Sequence, residues 1–265
     1  MGCEGYGAIA HVYDKLNAEI DYSAWADFIE RCFDRFLPSR PQLVLDLACG
    51  TGSMALQLAK RGYDTIGVDG SADMLSEAFA RAAEANEEVL WLHQDMRTFE
   101  LYGTVGATTC CLDSLNYLLT PEDLSACFAS VHNYLDPDGL FLFDMNTPYK
   151  FENVYANNAY ILEDELVYAD EEGEERIPVF CGWQNSYSPS TRLCDFDLTL
   201  FEELENGGYR RSDEHQTERC YSLDEITDAL RKAGFELLGV WSDFSFSAPT
   251  DTTERWYFAA RAIKQ

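Results

Sequence analysis

Residues 43–59 join a short apolar run to a glycine turn and then to a helical pattern, and no other segment restricts the fold as strongly. The run Leu43–Leu45 is typical of a short buried strand, and it ends at Asp46. Gly50 and Gly52 follow in a turn, after which apolar residues recur at helical spacing. Such a turn lets a ligand approach bare backbone at the helix N-terminus. The segment therefore predicts a cofactor-binding loop.

Strand and helix patterns alternate beyond this segment. Strands are predicted at 43–46, 64–69, 89–95, 105–111 and 140–144, and helices at 53–61, 72–85 and 121–135. The alternation resumes with a helix at 223–233, opened by the capping box Ser222-x-x-Glu225, and with strands at 235–244 and 253–263. This pattern predicts an α/β fold with a doubly wound, mostly parallel sheet and helices on both faces.

The segment 149–221 has no helical period. Polar and apolar residues alternate at 159–168, 179–187, 193–204 and 210–221, and Asn206-Gly207-Gly208 is a hairpin signal. These features predict an antiparallel β subdomain of three to five strands, inserted after the fifth strand. We expect one domain made of 1–148 and 222–265, with an N-terminal helical cap at 1–41, and an inserted subdomain at 149–221.

The glycine loop alone leaves two cofactor classes open. Gly50-x-Gly52-x-x-Ala55 matches the loose dinucleotide fingerprint. However, Asp46 at the strand end would repel a pyrophosphate, whereas it suits a ligand that carries an ammonium group. Asp69 ends the second strand, where an acid binds ribose hydroxyls in either class. Asp95 ends the third strand, where a carboxylate can accept a hydrogen bond from an adenine amino group.

Together these residues resemble the class I S-adenosylmethionine-dependent methyltransferases. The resemblance is carried by Asp46–Gly52, Val68–Ser71 with Met74 and Leu75, and Gln94–Met96. It implies a seven-stranded sheet whose last strand runs antiparallel, and S-adenosylmethionine as the cofactor. The cofactor residues that it implies are Asp46 near the methionine amino group, Gly50 and Gly52 at the methionine moiety, Asp69 at the ribose, Asp95 and Met96 at the adenine, and Ala48, Gly70, Met74 and Leu112 beside them.

The acceptor should lie at the carboxyl ends of strands four and five. Asp144 is expected to orient or deprotonate the acceptor, with a hydrogen bond to loop backbone as the alternative. Asn116 is a second catalytic candidate, and its alternative is to cap the following turn. Tyr13 resembles a tyrosine that several small-molecule methyltransferases place at the methionine carboxylate or sulfonium, and its alternative is a core position. No Asn/Asp-Pro-Pro-Tyr/Phe signature is present, which argues against nucleobase and glutamine acceptors.

The insertion after strand five resembles the one in amino-sugar and glycine N-methyltransferases and in related uncharacterised bacterial proteins. The resemblance implies that the insertion covers the substrate pocket and often mediates dimerisation, so a homodimer is expected. The candidate acceptor contacts within the insertion are Trp183, Tyr187, Tyr209, His215 and Tyr221.

The chain has 265 residues and a net charge of −28. Its few basic residues are scattered, which argues against nucleic acid and anionic membranes as partners. Nine cysteines without a C-x-x-C pair, together with the lack of a signal-peptide pattern and of a membrane-length apolar run, favour the cytoplasm. The four histidines lack metal-ligand spacing, so no metal site is expected.

We therefore expect the chain to transfer a methyl group from S-adenosylmethionine to a nitrogen or an oxygen of a small molecule, with nitrogen slightly favoured. Two alternatives come from other classes. One is a nicotinamide-dependent oxidoreductase, which rests on the glycine fingerprint alone. The other is a non-catalytic regulator that binds S-adenosylmethionine.

Overall fold

The computed structural model of the chain describes residues 19–170, 173–204 and 206–264. Within these residues the helices are α1 (Tyr22–Phe36), α2 (Ser53–Lys60), α3 (Ala72–Ala85), α4 (Pro121–Tyr134) and α5 (Leu223–Lys232). The strands are β1 (Leu43–Leu47), β2 (Asp64–Asp69), β3 (Val89–His93), β4 (Val105–Cys110), β5 (Leu135–Asn146), β6 (Ala159–Asp170), β7 (Gly173–Ser188), β8 (Leu193–Glu203), β9 (Tyr209–Arg219), β10 (Phe235–Trp241) and β11 (Arg255–Ala262). Tyr13, a sequence-predicted site residue, lies outside the described residues.

The main sheet has seven strands in the order β10-β11-β5-β4-β1-β2-β3. Neighbouring strands are parallel, except that β11 runs antiparallel to both β5 and β10. This arrangement confirms the α/β fold with a doubly wound, mostly parallel sheet. Among the described residues, no helix is both long enough and apolar enough to cross a membrane.

Alternate residues of β5 point to opposite faces of the main sheet, as the pleat of a strand requires. Phe141 and Phe143 belong to the apolar cluster formed with α4 and α5 on one face. Leu140 and Leu142 belong to the cluster formed with α1 and α2 on the other. The near-continuous apolar run of this strand in the sequence is therefore explained by burial on both faces.

A second sheet contains β6, β7, β8 and β9 in sequential antiparallel order. It lies between β5 and α5 in the chain, and this confirms the predicted antiparallel insertion after the fifth strand. One turn of π-helix, Lys150–Val154, connects β5 to the insertion. The return to the main sheet is fixed by the predicted capping box, in which Ser222 and Glu225 bond each other's backbone amides at the start of α5.

Several strand boundaries differ from the sequence prediction, among them the end of β3 and the start of β5. β3 ends at His93, so Asp95 lies in the turn that follows, and the Gln94 amide donates to the carbonyl of Asp69 over 3.0 Å. β5 begins at Leu135, which pairs with Val105, and the register then shifts before regular pairing resumes at Leu140. Hydrophobic pattern could not locate either change, because both depend on pairing with a neighbouring strand.

Phe258 on β11 provides a test of the core. Its ring is fully buried and stacks on Phe143, with the ring centroids 4.6 Å apart and an interplanar angle of 8°. We expect Phe258→Ala to lower the free energy of unfolding by about 3–5 kcal/mol, because it leaves a cavity between sheet and helices. Phe79→Ala, at a ring that is 66% exposed, is the control and should change it by about 0.5 kcal/mol or less. Urea denaturation of both variants measures this, and equal losses would contradict the packing described.

Candidate active site

Two cavities lie at the carboxyl edge of the main sheet. The larger, of about 200 Å³, lies beside the ends of β1 and β2 and is also bordered by the turns after β3 and β4 and by β9 of the inserted sheet. The smaller, of about 40 Å³, shares Ala48, Gly50 and Ser114 with it. Of the sequence-predicted cofactor residues, the larger cavity is lined by Ala48, Gly50, Asp69, Gly70, Met74 and Met96, and the smaller by Asp46, Ala48, Gly50 and Leu112.

Three residues without glycine's freedom adopt the left-handed backbone conformation at this edge. Ala48 follows β1 with φ 55°, and Leu112 and Asp113 follow β4 with φ 60° and 50°. Each such residue costs of the order of 1–3 kcal/mol and persists only where the surrounding structure holds it. Because Ala48 and Leu112 both border the smaller cavity, this strain is concentrated where a ligand would lie.

The two glycines of the loop have different surroundings. A side-chain carbon at Gly50 would meet nothing within 4 Å, so the missing side chain leaves room in the cavities that Gly50 borders. A side-chain carbon at Gly52 would lie 2.6 Å from the Trp91 ring, and Gly52 borders neither cavity. The sequence predicted a ligand contact for both residues. The structure favours a packing role for Gly52.

Asp69 holds the glycine loop against the end of β2. One of its carboxylate oxygens accepts from the Gly50 amide over 2.8 Å, and the other accepts from the Ser71 amide over 2.8 Å. Burial raises the pKa of Asp69, although these two amides oppose the shift. Each carboxylate oxygen can accept more than one hydrogen bond, so the side chain can still receive a ligand hydroxyl from the cavity that it borders.

Asp46 carries a buried oxygen without a partner. The side chain is 1% exposed, and its Oδ1 accepts from the Thr109 hydroxyl over 2.9 Å. Its Oδ2 forms no hydrogen bond with any described residue. Burial raises the pKa of Asp46 to about 7, although the Thr109 hydroxyl and the Ala55 amide lower it. A buried carboxylate that borders a cavity suits a cationic group of a ligand, because a neighbouring cation offsets the cost of its burial.

Asp95 is turned toward a cation of the protein. Its carboxylate accepts from the Arg97 guanidinium at 2.9 and 2.5 Å, and Arg97 also donates to Asp123 over 2.9 Å. Arg97 lowers the pKa of Asp95. Asp95 does not border the larger cavity, whereas its neighbours Gln94 and Met96 do. The structure therefore favours a role for Asp95 in fixing this turn over the expected adenine contact.

A buried ionic cluster lies behind the strand ends. Asp144 on β5 is fully buried, and its Oδ2 accepts from the Arg255 guanidinium and, over 2.9 Å, from the Asp113 amide. Arg255 also donates to Asp113 Oδ1 over 2.8 Å. Burial raises the pKa of Asp144, which the charge of Arg255 only partly offsets. Because Oδ2 of Asp144 is held by Arg255 and the Asp113 amide, while its buried Oδ1 has no partner among the described residues, the structure favours positioning of Arg255 and Asp113 over the catalytic role expected from sequence.

The cluster continues into the inserted sheet through Asn146. Its Nδ2 donates to Asp113 Oδ2 over 2.7 Å and to Glu218 Oε2 over 3.1 Å, and its Oδ1 accepts from Lys150 Nζ over 3.1 Å. Burial, reinforced by Asp113, raises the pKa of Glu218 well above its usual range. Burial and the charge of Arg255 lower the pKa of Lys150. Glu218 belongs to β9, the strand that borders the larger cavity.

Asn116 joins the main sheet to the insertion. Its Oδ1 accepts from the Asn146 amide over 3.0 Å, and its Nδ2 donates to the Arg219 carbonyl over 2.9 Å. The side chain is fully buried and both of its polar atoms bind backbone. The structure therefore favours a positioning role for Asn116 instead of the expected contact with the reacting groups.

Comparison with known proteins identifies the family of this chain. The methyltransferase domain family matches residues 44–139. A relative from Geobacillus sp. (strain WCH70), whose name gives methyltransferase and no acceptor, is 32% identical over 256 residues, 97% of this chain and 99% of the relative. The crystal structure of a S-adenosylmethionine-dependent methyltransferase from Clostridium acetobutylicum ATCC 824 is 32% identical, with a TM-score of 0.81 over 97% of this chain and 98% of that one.

The chain belongs to the S-adenosylmethionine-dependent methyltransferases. The resemblance stated from the sequence is thereby confirmed, as are the enzyme class and the cofactor. The nicotinamide-dependent oxidoreductase receives no support. The N,N-dimethyltransferase of dTDP-3-amino-3,4,6-trideoxy-alpha-D-glucopyranose from Streptomyces venezuelae is 36% identical over 151 residues, 56% of this chain and 60% of that protein.

Several residues of this methyltransferase site were missed in the sequence. Arg81 on α3 donates to the Thr51 carbonyl over 3.1 Å and to the Ser53 hydroxyl over 2.9 Å, so it braces the glycine loop. Gln216 borders the larger cavity and accepts from the Tyr117 hydroxyl over 2.8 Å. His215, predicted as an acceptor contact, borders that same cavity. The burial of Gln216 follows from the position of β9 in the folded structure and has no signal in the sequence.

The two loop glycines give a matched test. We expect Gly50→Ala to lower the free energy of unfolding by about 1–2 kcal/mol from left-handed strain, and to weaken S-adenosylhomocysteine binding because its methyl group enters the cavity. Gly52→Ala adds a clash with Trp91 to the same strain, so we expect a further loss of about 1–3 kcal/mol. Urea denaturation and calorimetric titration measure the two effects. A Gly52→Ala variant as stable as Gly50→Ala would contradict the packing role.

Proposed function

We propose that this methyltransferase transfers its methyl group to an amine nitrogen of a small polar molecule. The acceptor would bind between the carboxyl edge of the main sheet and the inner face of the inserted sheet, the face that carries Gln216 and Glu218. The observation that carries the proposal is the cavity at the carboxyl edge of the main sheet that β9 borders, together with the buried carboxyl group of Glu218 on the same strand. The relative that acts on an amino sugar supports an amine acceptor. The excess of buried acid near Glu218 supports it independently.

The residues around the two cavities fit S-adenosylmethionine. We propose that the unpartnered oxygen of Asp46 receives the methionine ammonium group and that Asp69 receives the ribose hydroxyls. Met74 and Met96 supply apolar walls for the adenine, and Gly50 leaves the backbone open beside the methionine. When bound, the cofactor supplies a sulfonium methyl carbon that is open to in-line displacement. The protein contributes alignment and the exclusion of water.

Charge balance in the buried cluster favours an amine. Three carboxyl groups, those of Asp113, Asp144 and Glu218, face the two cations Arg255 and Lys150. Burial alone would raise the pKa of Asp113, but the two cations outweigh it and hold that pKa below its usual range. The cluster thus holds one more carboxyl group than it has cations, and Lys150 and Arg255 only partly offset the burial of Glu218. An acceptor amine would add the missing cation, and the Glu218 carboxylate would then take the proton that the amine must lose before it attacks.

The residues expected from sequence to be catalytic receive different roles in this proposal. Asp144 and Asn116 hold Arg255, Asp113 and the strand ends in place, while Glu218 accepts the proton. Tyr117 and Gln216, joined by their hydrogen bond, close the larger cavity against water.

We further propose a cytoplasmic enzyme that forms a homodimer and has no nucleic-acid partner. The net charge of −28 supports the last point. The eight described cysteines, all buried and unpaired, support a reducing compartment. The edge strand β6, where Ile161 is 70% exposed, supports the dimer.

The raised pKa of Asp46 predicts how cofactor binding depends on pH. Only the ionised carboxylate attracts an ammonium group, so binding below pH 7 must first release the Asp46 proton. We expect S-adenosylhomocysteine affinity to fall as the pH drops from about 8 to about 6, approaching tenfold per unit below the pKa. Asp46→Asn should abolish this dependence and weaken binding by about 1.5–3 kcal/mol.

Calorimetric titration in two buffers of different ionisation enthalpy measures both the affinity and the released proton. The exposed Asp64, at the opposite end of β2, gives the control Asp64→Asn, which should bind as the wild type does. An affinity that is constant across this range, with no proton released, would remove the ammonium group from Asp46.

Glu218→Gln tests the acceptor half of the proposal. Glucosamine and cyclohexylamine are offered with S-adenosylmethionine, beside glucose and cyclohexanol, and S-adenosylhomocysteine formation is followed by mass spectrometry. We expect methylation of amines and not of the matching alcohols. Loss of the base in Glu218→Gln should slow it by about 10²–10⁴-fold, with cofactor affinity unchanged.

The control is Glu236→Gln, at an exposed acid on β10 that pairs with Arg261 at the surface. It should retain full activity. Methylation of the alcohols in preference to the amines, or an active Glu218→Gln variant, would contradict the proposal.

A further inference from the structure

The inner face of the inserted sheet carries buried polar side-chain atoms that have no hydrogen-bond partner among the described residues. Asn185 on β7 lies directly opposite Phe196 on β8, which lies opposite Gln216 on β9. Residues directly opposite one another share a face of the sheet. The three side chains therefore form a row across the face, with Asn185 and Gln216 roughly 10 Å apart, or two strand spacings.

Asn185 is the clearest of these groups. The side chain is 1% exposed, yet neither its Oδ1 nor its Nδ2 forms a hydrogen bond with the described residues. Its backbone amide is satisfied by the Asn158 carbonyl over 2.8 Å, so only the side chain is unpaired. The neighbouring Phe196 packs on the rings of Tyr155 and Trp183, with centroids 5.1 and 6.2 Å away.

Gln216 at the end of the row and Trp183, two residues before Asn185 on β7, also carry unpaired polar atoms. Gln216 accepts from the Tyr117 hydroxyl through Oε1, while its buried Nε2 has no partner among the described residues. The Trp183 Nε1 is likewise buried and without a partner there. Because Gln216 also borders the larger cavity, one end of the row reaches the proposed cofactor site.

Unpaired buried amides are rare in native proteins, because each loses its bonds to water without replacement. Nothing in the packing requires an amide at Asn185, where leucine has nearly the same shape. Three unpaired polar atoms in this row and a fourth in the neighbouring row, with Gln216 at the larger cavity, therefore point to a molecule that binds against this face and completes their hydrogen bonds.

We propose that Asn185 and Gln216 recognise the body of the methyl acceptor, an inference that rests on the proposed function. The acceptor must offer a donor to Asn185 Oδ1 and acceptors to Asn185 Nδ2, Gln216 Nε2 and Trp183 Nε1. A hydroxyl group offers both. The row therefore selects hydroxylated amines over plain amines of the same size.

The first test needs no acceptor. A buried asparagine retained only for a ligand is replaced by leucine without loss of folding, so the melting temperature of Asn185→Leu should hold or rise by about 2–4 °C. Asn116→Leu is the matched control, since that asparagine is equally buried and has both polar atoms paired. It should melt lower. A comparable fall for Asn185→Leu would show that its amide is structural and would overturn the inference.

The second test compares glucosamine with cyclohexylamine, a ring amine without hydroxyl groups. The wild type should favour glucosamine in kcat/KM, and Asn185→Leu should lose most of that preference, at least tenfold, through KM more than kcat. Asn185→Ala serves the same purpose if leucine is not accommodated. Cofactor affinity is measured alongside and should not change.

The outcomes separate the two proposals. If both amines are methylated equally well, or if Asn185→Leu keeps the preference, water fills the row and the inference fails while the proposed function stands. If neither amine is methylated although S-adenosylhomocysteine binds, the amine assignment fails, and the inference about hydroxylated amines fails with it.

Discussion

The salt bridges of Arg255 with Asp144 and Asp113 are the interactions on which the site depends. They tie β11 to β5 and to the turn after β4, so the three strand ends around the acceptor region are held by one guanidinium group. Asn146 extends the connection to Glu218 and thus to the inserted sheet. Burying such charges is unfavourable unless each is paired, and removal of one partner leaves the others uncompensated. This cluster therefore ties β9 to the strand ends of the main sheet and holds it over the cofactor edge.

The cofactor edge, that is, the carboxyl edge of the main sheet, also contains residues that are held in the left-handed backbone conformation. Ala48 and Leu112 are left-handed without being glycines, and both border the smaller cavity. Asp69 fixes the glycine loop through the Gly50 amide, and Arg81 braces it from α3. A loop that is held before the ligand arrives loses little entropy on binding, which suits an enzyme whose contribution is alignment.

Much of this arrangement could be predicted from sequence because it is local. A strand that ends in an acid and is followed by a glycine turn predicted the loop after β1. The same pattern of strand ends predicted Asp69 and Met96 at the carboxyl edge of the main sheet. Side-chain partners were less accessible. Gly52 looked like a ligand contact until Trp91, from another strand, was found packed against it. Asp95 looked free for the adenine, but Arg97 two residues later holds it.

The acceptor side was the least predictable part, for a physical reason. Glu218 meets Asn146, and Gln216 meets Tyr117, across about 70 to 100 residues of chain, and only the docking of the second sheet brings them together. In the sequence, Asp144 resembles a catalytic acid because it stands at a strand end. Its pairing with Arg255 is visible only in the folded structure. The charge balance and the unpaired amides that support the acceptor proposals appear only once the two sheets are assembled.

The central claim is that the cofactor binds at the carboxyl edge of the main sheet and beneath β9. Hydrogen–deuterium exchange with and without S-adenosylhomocysteine tests it most directly. The account predicts slower exchange in the loops 46–52, 69–74 and 94–97 and, together with them, in residues 215–218 of the inserted sheet. Slower exchange in the loops without any change in 215–218 would contradict the role of β9. Protection confined to the opposite edge of the sheet, around Arg40 and Asp136, would contradict the site itself.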